Sequence, residues 1–211
     1  MGKRHDEAEL ERLGLYDPAA SDAPDRLRLL TRAFELGATV DEVVRANRVF
    51  GLGPLILDLA MRPAGETHDL DAFAASSGLD PDLVRRLWLA LGLPTSDAAP
   101  VGVTPDAAEA LQVMAAMTPL LGEDVVLALA RVVGQSVARM TEALSGAFRV
   151  GVEGPQRITG TPYSQVVDDS TTVVRDLLPP FLEALGAIFR RHLVAVSYQL
   201  WSTDEERTAV T

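Results

Sequence analysis

Apolar residues along this chain recur at three- and four-residue spacing, and no stretch alternates cleanly with period two, so the pattern predicts helices rather than strands. After a short polar helix near the start, "YDPAASDAP" reads as a linker, and Pro24 is placed to open the next helix, where its missing N–H costs nothing. Leu27, Leu30, Phe34 and Thr31 form the expected inner face, closed by Gly37. Thr39–Glu42, "TVDE", has the form of a capping box. "GLGPLILDLAM" predicts a short buried helix from near Pro54, and "LDAFAASSG" followed by "DPDLVRRLWLALG" predicts a helix, a glycine turn and a second helix. "PTSDAAPVGV" is a linker, and Pro105 opens a helix that precedes a long one from Glu123 to about Val150. "GVEGPQRITGTP" reads as a loop. A second long helix begins at Tyr163, with a kink or restart expected near Leu178 because Pro179 and Pro180 each remove a backbone donor.

One echo runs through this pattern. Gly37, Asp41, Val43, Arg45, Gly51 and Leu52 recur at a constant offset as Gly78, Asp82, Val84, Arg86, Gly92 and Leu93, with a looser third copy at Gly122, Asp124 and Val126. A duplicated helical hairpin and coincidental helix punctuation both fit.

Composition narrows the class. Hydrophobic residues make up 47% of the 211 and aromatics only 5%, so a sizeable core built from Leu, Val and Ala is expected. The absence of cysteine excludes disulfides and thiolate metal sites. The formal net charge of -11 leaves a nucleic-acid partner unexpected, since duplex binding needs a basic face. The charged start "MGKRHDEAELERLG" lacks the apolar stretch of a signal peptide, and no apolar run has the length of a membrane span. A cytoplasmic protein is expected.

Chemistry-bearing motifs are missing: there is no phosphate-binding glycine loop, zinc-helix motif or nucleophile elbow, and the expectation is a chain that is not itself an enzyme and holds no cofactor or metal. Asp168 and Asp169 sit on adjacent helical positions and point apart. Residues 69–93 have a helix-turn-helix layout, but the second helix continues Arg85 and Arg86 with Leu87, Trp88 and Leu89, a face suited to a core.

Four segments, "LTRAFELGATVDEVVRAN", "GLDPDLVRRLWLALGLP", "GEDVVLALARVVGQSVARMTEAL" and "LPPFLEALGAIFRRHLVAV", occur in the order and phrasing that resembles the N-terminal regulatory domain of actinobacterial, pH-responsive mycobacterial class III adenylyl cyclases. The resemblance covers roughly residues 24–200. It implies an all-α, multi-helix, bundle-like homodimer with long C-terminal helices, coupled through its last helix to a cyclase catalytic domain that makes cyclic AMP. On this reading residues 1–23 are a polar segment and linker, 24–201 the helical regulatory domain, and 202–211 the polar start of a linker. The metal-binding aspartates of such a catalytic domain have no match here.

The last helix carries the remaining candidates. Phe181, Leu185, Phe189, Leu193, Val196 and Trp201 make a broad apolar stripe, and Ile188, Val194 and Tyr198 extend beyond it, an excess that suits a partner. His192, beside Arg190 and Arg191, is the candidate pH-responsive residue, with an ordinary exposed histidine as the other reading. Met114, Met117, Met140 and Phe148, together with Phe181, Leu185 and Phe189, suit either a tunnel for a fatty-acid-like amphiphile, its acid head near Arg149, Arg190 or Arg191, or an ordinary core.

Overall fold

A computed structural model describes residues 6–62, 65, 67–94 and 102–208, with side chains described as far as 199. Among these residues every regular element is helical, and the one extended contact is an isolated bridge between His68 and Val103. The chain is all-α, as its periodicity predicts.

The helices follow as α1 (Glu7–Arg12), α2 (Ala23–Glu35), α3 (Val40–Val49), α4 (Leu52–Met61), α5 (Leu70–Ser77), α6 (Pro81–Ala90), α7 (Pro105–Ala116), α8 (Thr118–Leu121) and α9 (Glu123–Phe148). A π-helical turn (Arg149–Glu153) then leads into α10 (Gly154–Ile158) and α11 (Tyr163–Thr208). Local signals set most boundaries. Thr39 Oγ1 accepts from the Glu42 N–H at 3.2 Å while the Glu42 carboxylate accepts from the Thr39 N–H at 2.8 Å, the reciprocal capping box. Asp69 and Asp80 cap α5 and α6 through their carboxylates.

Two separate clusters form the core. The first joins Leu29, Leu30 and Ala33 of α2, Val43 and Ala46 of α3, and Leu52, Leu55 and Ile56 of α4. The second joins Phe73 and Ala74 of α5, Val84, Leu87 and Trp88 of α6, Leu111 of α7, and Val126 and Ala130 of α9. The sequence echo lies across this division. Val43, Val84 and Val126 are each fully buried, and each is the fourth residue of its helix, two positions after an aspartate. Ala33 pairs with Ala74, and Ala46 with Leu87, as further buried positions at the same offset. The first two repeated segments therefore occupy like places in separate clusters, while Val126 of the third joins Val84 in the second.

Several expectations need correction. Residues 7–16 are not a polar appendage, because Leu10 and Leu15 are buried in the first cluster and Tyr16 packs against it. Thr31 is exposed, and Leu29 takes the inner position that the periodicity left between faces. The stretch read as a loop after α9 is helical as far as Ile158: Pro155 sits in the first turn of α10, and Gly160, at φ 73°, follows its C-cap Thr159. Finally, α11 runs without a break through Pro179 and Pro180. The two carbonyls left without an N–H partner are those of Arg175 and Asp176, which are exposed and open to water.

Candidate functional site

The site is built from the two long helices, and its geometry begins where each is anchored. The first turns of α11 enter the first cluster: Val166 and Val167 are buried against α2 and α4, and Ser164, Ser170 and Thr171 are buried with them. Asp25 on α2 clamps the start of α11. Its carboxylate accepts from the Ser164 N–H at 3.2 Å and from the Ser164 O–H, while the Arg28 guanidinium donates to both Asp25 and the Ser164 hydroxyl at 3.1 Å. Burial pushes the Asp25 carboxyl up, but the Ser164 and Arg28 donors outweigh it and hold the group below the ordinary carboxylate range. A negative charge is also favourable at this helix N-terminus. Asp168 pairs with Arg32 at 3.5 Å, whereas Asp169 accepts from Gln156 at 2.8 Å and Gln165 at 2.7 Å, so the adjacent carboxylates serve different partners.

The second cluster anchors α9. Val126, Leu127, Ala130 and Gly134 are buried, and Arg86 of α6 pairs with Glu123. A Cβ on Gly134 would come within 2.5 Å of the Leu91 carbonyl oxygen, so only glycine lets α9 cross the end of α6 this closely. Beside this crossing lies an open groove of about 420 Å³ lined by Arg86, Leu89, Gly92, Arg131 and Gln135.

Beyond their anchors both helices leave the core. No residue of α11 after Thr171 is buried as far as 199, and Phe181, Ile188, Phe189, Leu193 and Tyr198 are all exposed, Tyr198 at 73%. Leu185 is half-buried. Arg190, Arg191 and His192 are exposed. By helical phase His192 belongs with the apolar residues: Leu177, Phe181, Leu185, Ile188, His192 and Val196 follow one another at three- or four-residue steps. The side chain of Trp201 lies outside the described residues.

Among the described residues the amphiphile candidates fall on different parts of the fold. Met114 and Met117 are half-buried against the second cluster. Met140 and Phe148 lie on the outer half of α9, and Phe181 and Phe189 stand exposed on α11. The helix-turn-helix candidate is α5 and α6, whose Val84, Leu87 and Trp88 are core. Arg85 pairs with Asp71 at 2.8 Å and Asp82 at 3.0 Å, and those carboxylates raise its pKa further. Among the described residues there is no cluster of potential metal ligands, and no helix long and apolar enough to cross a membrane.

Sequence reasoning missed the Asp25–Ser164 clamp, whose members are 139 positions apart. It also missed a second apolar stripe on α9, flanked by the exposed Arg139. Val125, Leu129, Val132, Ser136, Met140 and Leu144 recur at helical spacing on the side away from the buried residues, and the five large ones are exposed. The spacing was visible, but it merged with the core-facing positions of the same helix.

No family model matches the chain. It is 30% identical over 186 residues to uncharacterized proteins from two strains of Mycobacterium tuberculosis and from Mycobacterium bovis. The match takes in 88% of this chain and 48% of each relative, so the chain spans about half the length of the curated relatives it matches.

Proposed function

We propose that the chain is a homodimeric regulatory module that sets the relative position of two class III adenylyl cyclase catalytic domains, and so their cyclic AMP output. The observation that carries this reading is α11. Its first turns are clamped into the first cluster, and its remaining length projects as an unsupported rod with an apolar face. At 1.5 Å per residue the whole helix reaches about 69 Å, long enough to carry a displacement out of the domain. Class III active sites form between two catalytic domains, so a shift or rotation between two such rods would open or close them. The resemblance of the four segments supplies the catalytic partner, and mycobacterial relatives twice as long as the matched region agree with a module joined to something further.

His192 is the residue through which pH would enter this module. His192 is exposed, among the described residues no element pairing places another helix over it, and the nearest charged groups on its own helix are Arg190 and Arg191. The test is a fusion of residues 1–208 to a class III cyclase catalytic domain. Cyclic AMP output should change when one residue is inserted into α11 after Ser202, which rotates all that follows by about 100°. In the same fusion His192→Ala should flatten the pH–activity profile. Output that matches the isolated catalytic domain with and without the insertion defeats the regulatory reading, and an unchanged pH profile removes His192 from it.

A further inference from the structure

Many arginines of this chain are answered by its own carboxylates. Arg12, Arg28, Arg62, Arg85 and Arg157 each pair with an aspartate or glutamate three or four places away in sequence. Arg131 of α9 is not. The places three and four before and after it hold Leu127, Ala128, Gly134 and Gln135, and among the described residues it makes neither an ion pair nor a hydrogen bond. It lines the groove of about 420 Å³ beside the crossing of α6 and α9, together with Arg86, Gln135, Leu89, Ala90 and Ala138. Arg86 enters this groove already oriented: its Nε donates to the Asp82 carbonyl at 3.3 Å, and its Nη1 meets the Glu123 carboxylate. A guanidinium has about five N–H donors, so the rest of them stay open. Gln135 adds an amide that has no hydrogen-bond partner among the described residues.

We propose that this groove binds a small phosphomonoester, its phosphate held by Arg86 and Arg131 and its organic body laid against Leu89, Ala90 and Ala138. The site stands apart from the cyclase reading and needs no second copy of the chain. Charge selects an anion. A chain of formal net charge -11 repels anions in general, so a bound one needs local cations, and two line this groove. The carbonyl end of α6 borders the groove and favours cations beside it, which offsets the repulsion between the two arginines. Geometry selects phosphate. Planar guanidinium forks match its oxygens, and a phosphomonoester brings nearly two negative charges and three oxygens, where a carboxylate brings one charge and two oxygens. The Arg86–Glu123 pair is no obstacle: its side chains are 48% and 37% exposed, so it contributes little and the phosphate can take its place. Size selects a small body. The groove lies toward the lower end of the roughly 300–1,000 Å³ of small-molecule sites, room for one ring or a short chain. Leu89, 63% exposed, is the apolar surface that such a body would cover.

Phenyl phosphate is the probe, titrated into the full chain by calorimetry at constant ionic strength. It should bind saturably with one site per chain and raise the Tm. Benzoate and inorganic phosphate should each bind about tenfold more weakly, the first for want of charge and oxygens, the second for want of a body. Arg131→Gln, a change at an exposed position that circular dichroism should show to be folded, should weaken phenyl phosphate about tenfold. Arg131→Lys keeps the charge without the fork and should recover only part of that loss. Glu123→Gln releases Arg86 and should tighten binding severalfold. Arg139→Gln removes an equal charge from an exposed place on α9 outside the groove and should leave the affinity nearly unchanged. Binding that does not saturate by about 10 mM overturns the site. Equal losses in Arg131→Gln and Arg139→Gln would reduce it to diffuse charge attraction and overturn it as well. Benzoate binding as tightly as phenyl phosphate would overturn the phosphate, and inorganic phosphate doing so would overturn the organic body.

Discussion

The clamp between α2 and α11 makes a quantitative claim. In Asp25→Asn the side chain keeps its size but loses its charge, so the Ser164 O–H and the Arg28 guanidinium lose an anionic acceptor. Hydrogen bonds to charged groups contribute about 1.5–3 kcal/mol, and the amide oxygen can still accept from the Ser164 N–H, so the loss at neutral pH should be about 2 kcal/mol. Asp25 retains only 20% of its side-chain exposure, so little of this is screened by solvent. For a chain of this size that is about 4–8 °C in Tm. The sign with pH is fixed by the direction of the shift. The folded carboxyl titrates below its unfolded value, so its stabilisation is complete above the unfolded pKa of about 3.9 and disappears as pH falls through the folded one. Urea unfolding followed by circular dichroism, at one protein concentration and at about pH 7 and about pH 3.5, measures both. The variant should be weaker at neutral pH, and the gap should shrink in acid. A gap below about 0.5 kcal/mol at neutral pH, the ordinary range of surface substitutions, refutes the clamp. A gap that persists unchanged in acid refutes the electrostatic account of it.

Three further outcomes follow from the packing. Gly134→Ala forces a methyl against the Leu91 backbone, which cannot yield as a flexible side chain would, and should cost about 1–3 kcal/mol in chemical denaturation. Val43→Ala and Val84→Ala each open a void in a different cluster, should each cost about 1–2 kcal/mol, and should add in the double variant. A marked departure from additivity in the same denaturation assay would mean that the two clusters are one. Replacing Pro179 and Pro180 together by alanine restores two backbone donors in an exposed helix interior, and should slow amide hydrogen exchange across residues 175–185. Unchanged exchange there would show that the prolines do not loosen α11.

Much of the architecture was legible because each helix carried its own signals. The Thr39–Glu42 box, Pro105 and the positive-φ glycines Gly37 and Gly78 sit where the pattern placed helix starts and stops. The misreadings share a cause, which is that local rules were overridden by context. Glycines at 151 and 154 and Pro155 argue for a loop by propensity, yet the π-helical turn and α10 pack against the start of α11, and that contact holds the segment helical. Proline penalties at 179 and 180 argue for a break, but the strain falls where the freed carbonyls face water. Leu10 and Leu15 looked too sparse to anchor a segment otherwise rich in charge; two well-placed leucines were enough.

The candidate site was legible only by half, and the reason is physical. Periodicity reports that a helical face must leave water, but not what covers it. On α9 both an inner and an outer apolar face exist, and along the sequence they blend: Val125 and Val126 are neighbours, one 54% exposed and the other fully buried. On α11 the same pattern continues from Val167, inside the core, to Val196, far outside it, with no change in composition to mark where the domain ends. A chain that needed only its own core would have made the outer half of α11 polar after Thr171, as solubility favours. That one stripe of it, from Leu177 to Val196, stays apolar apart from His192 beyond the last buried residue is the argument that this surface is built for association.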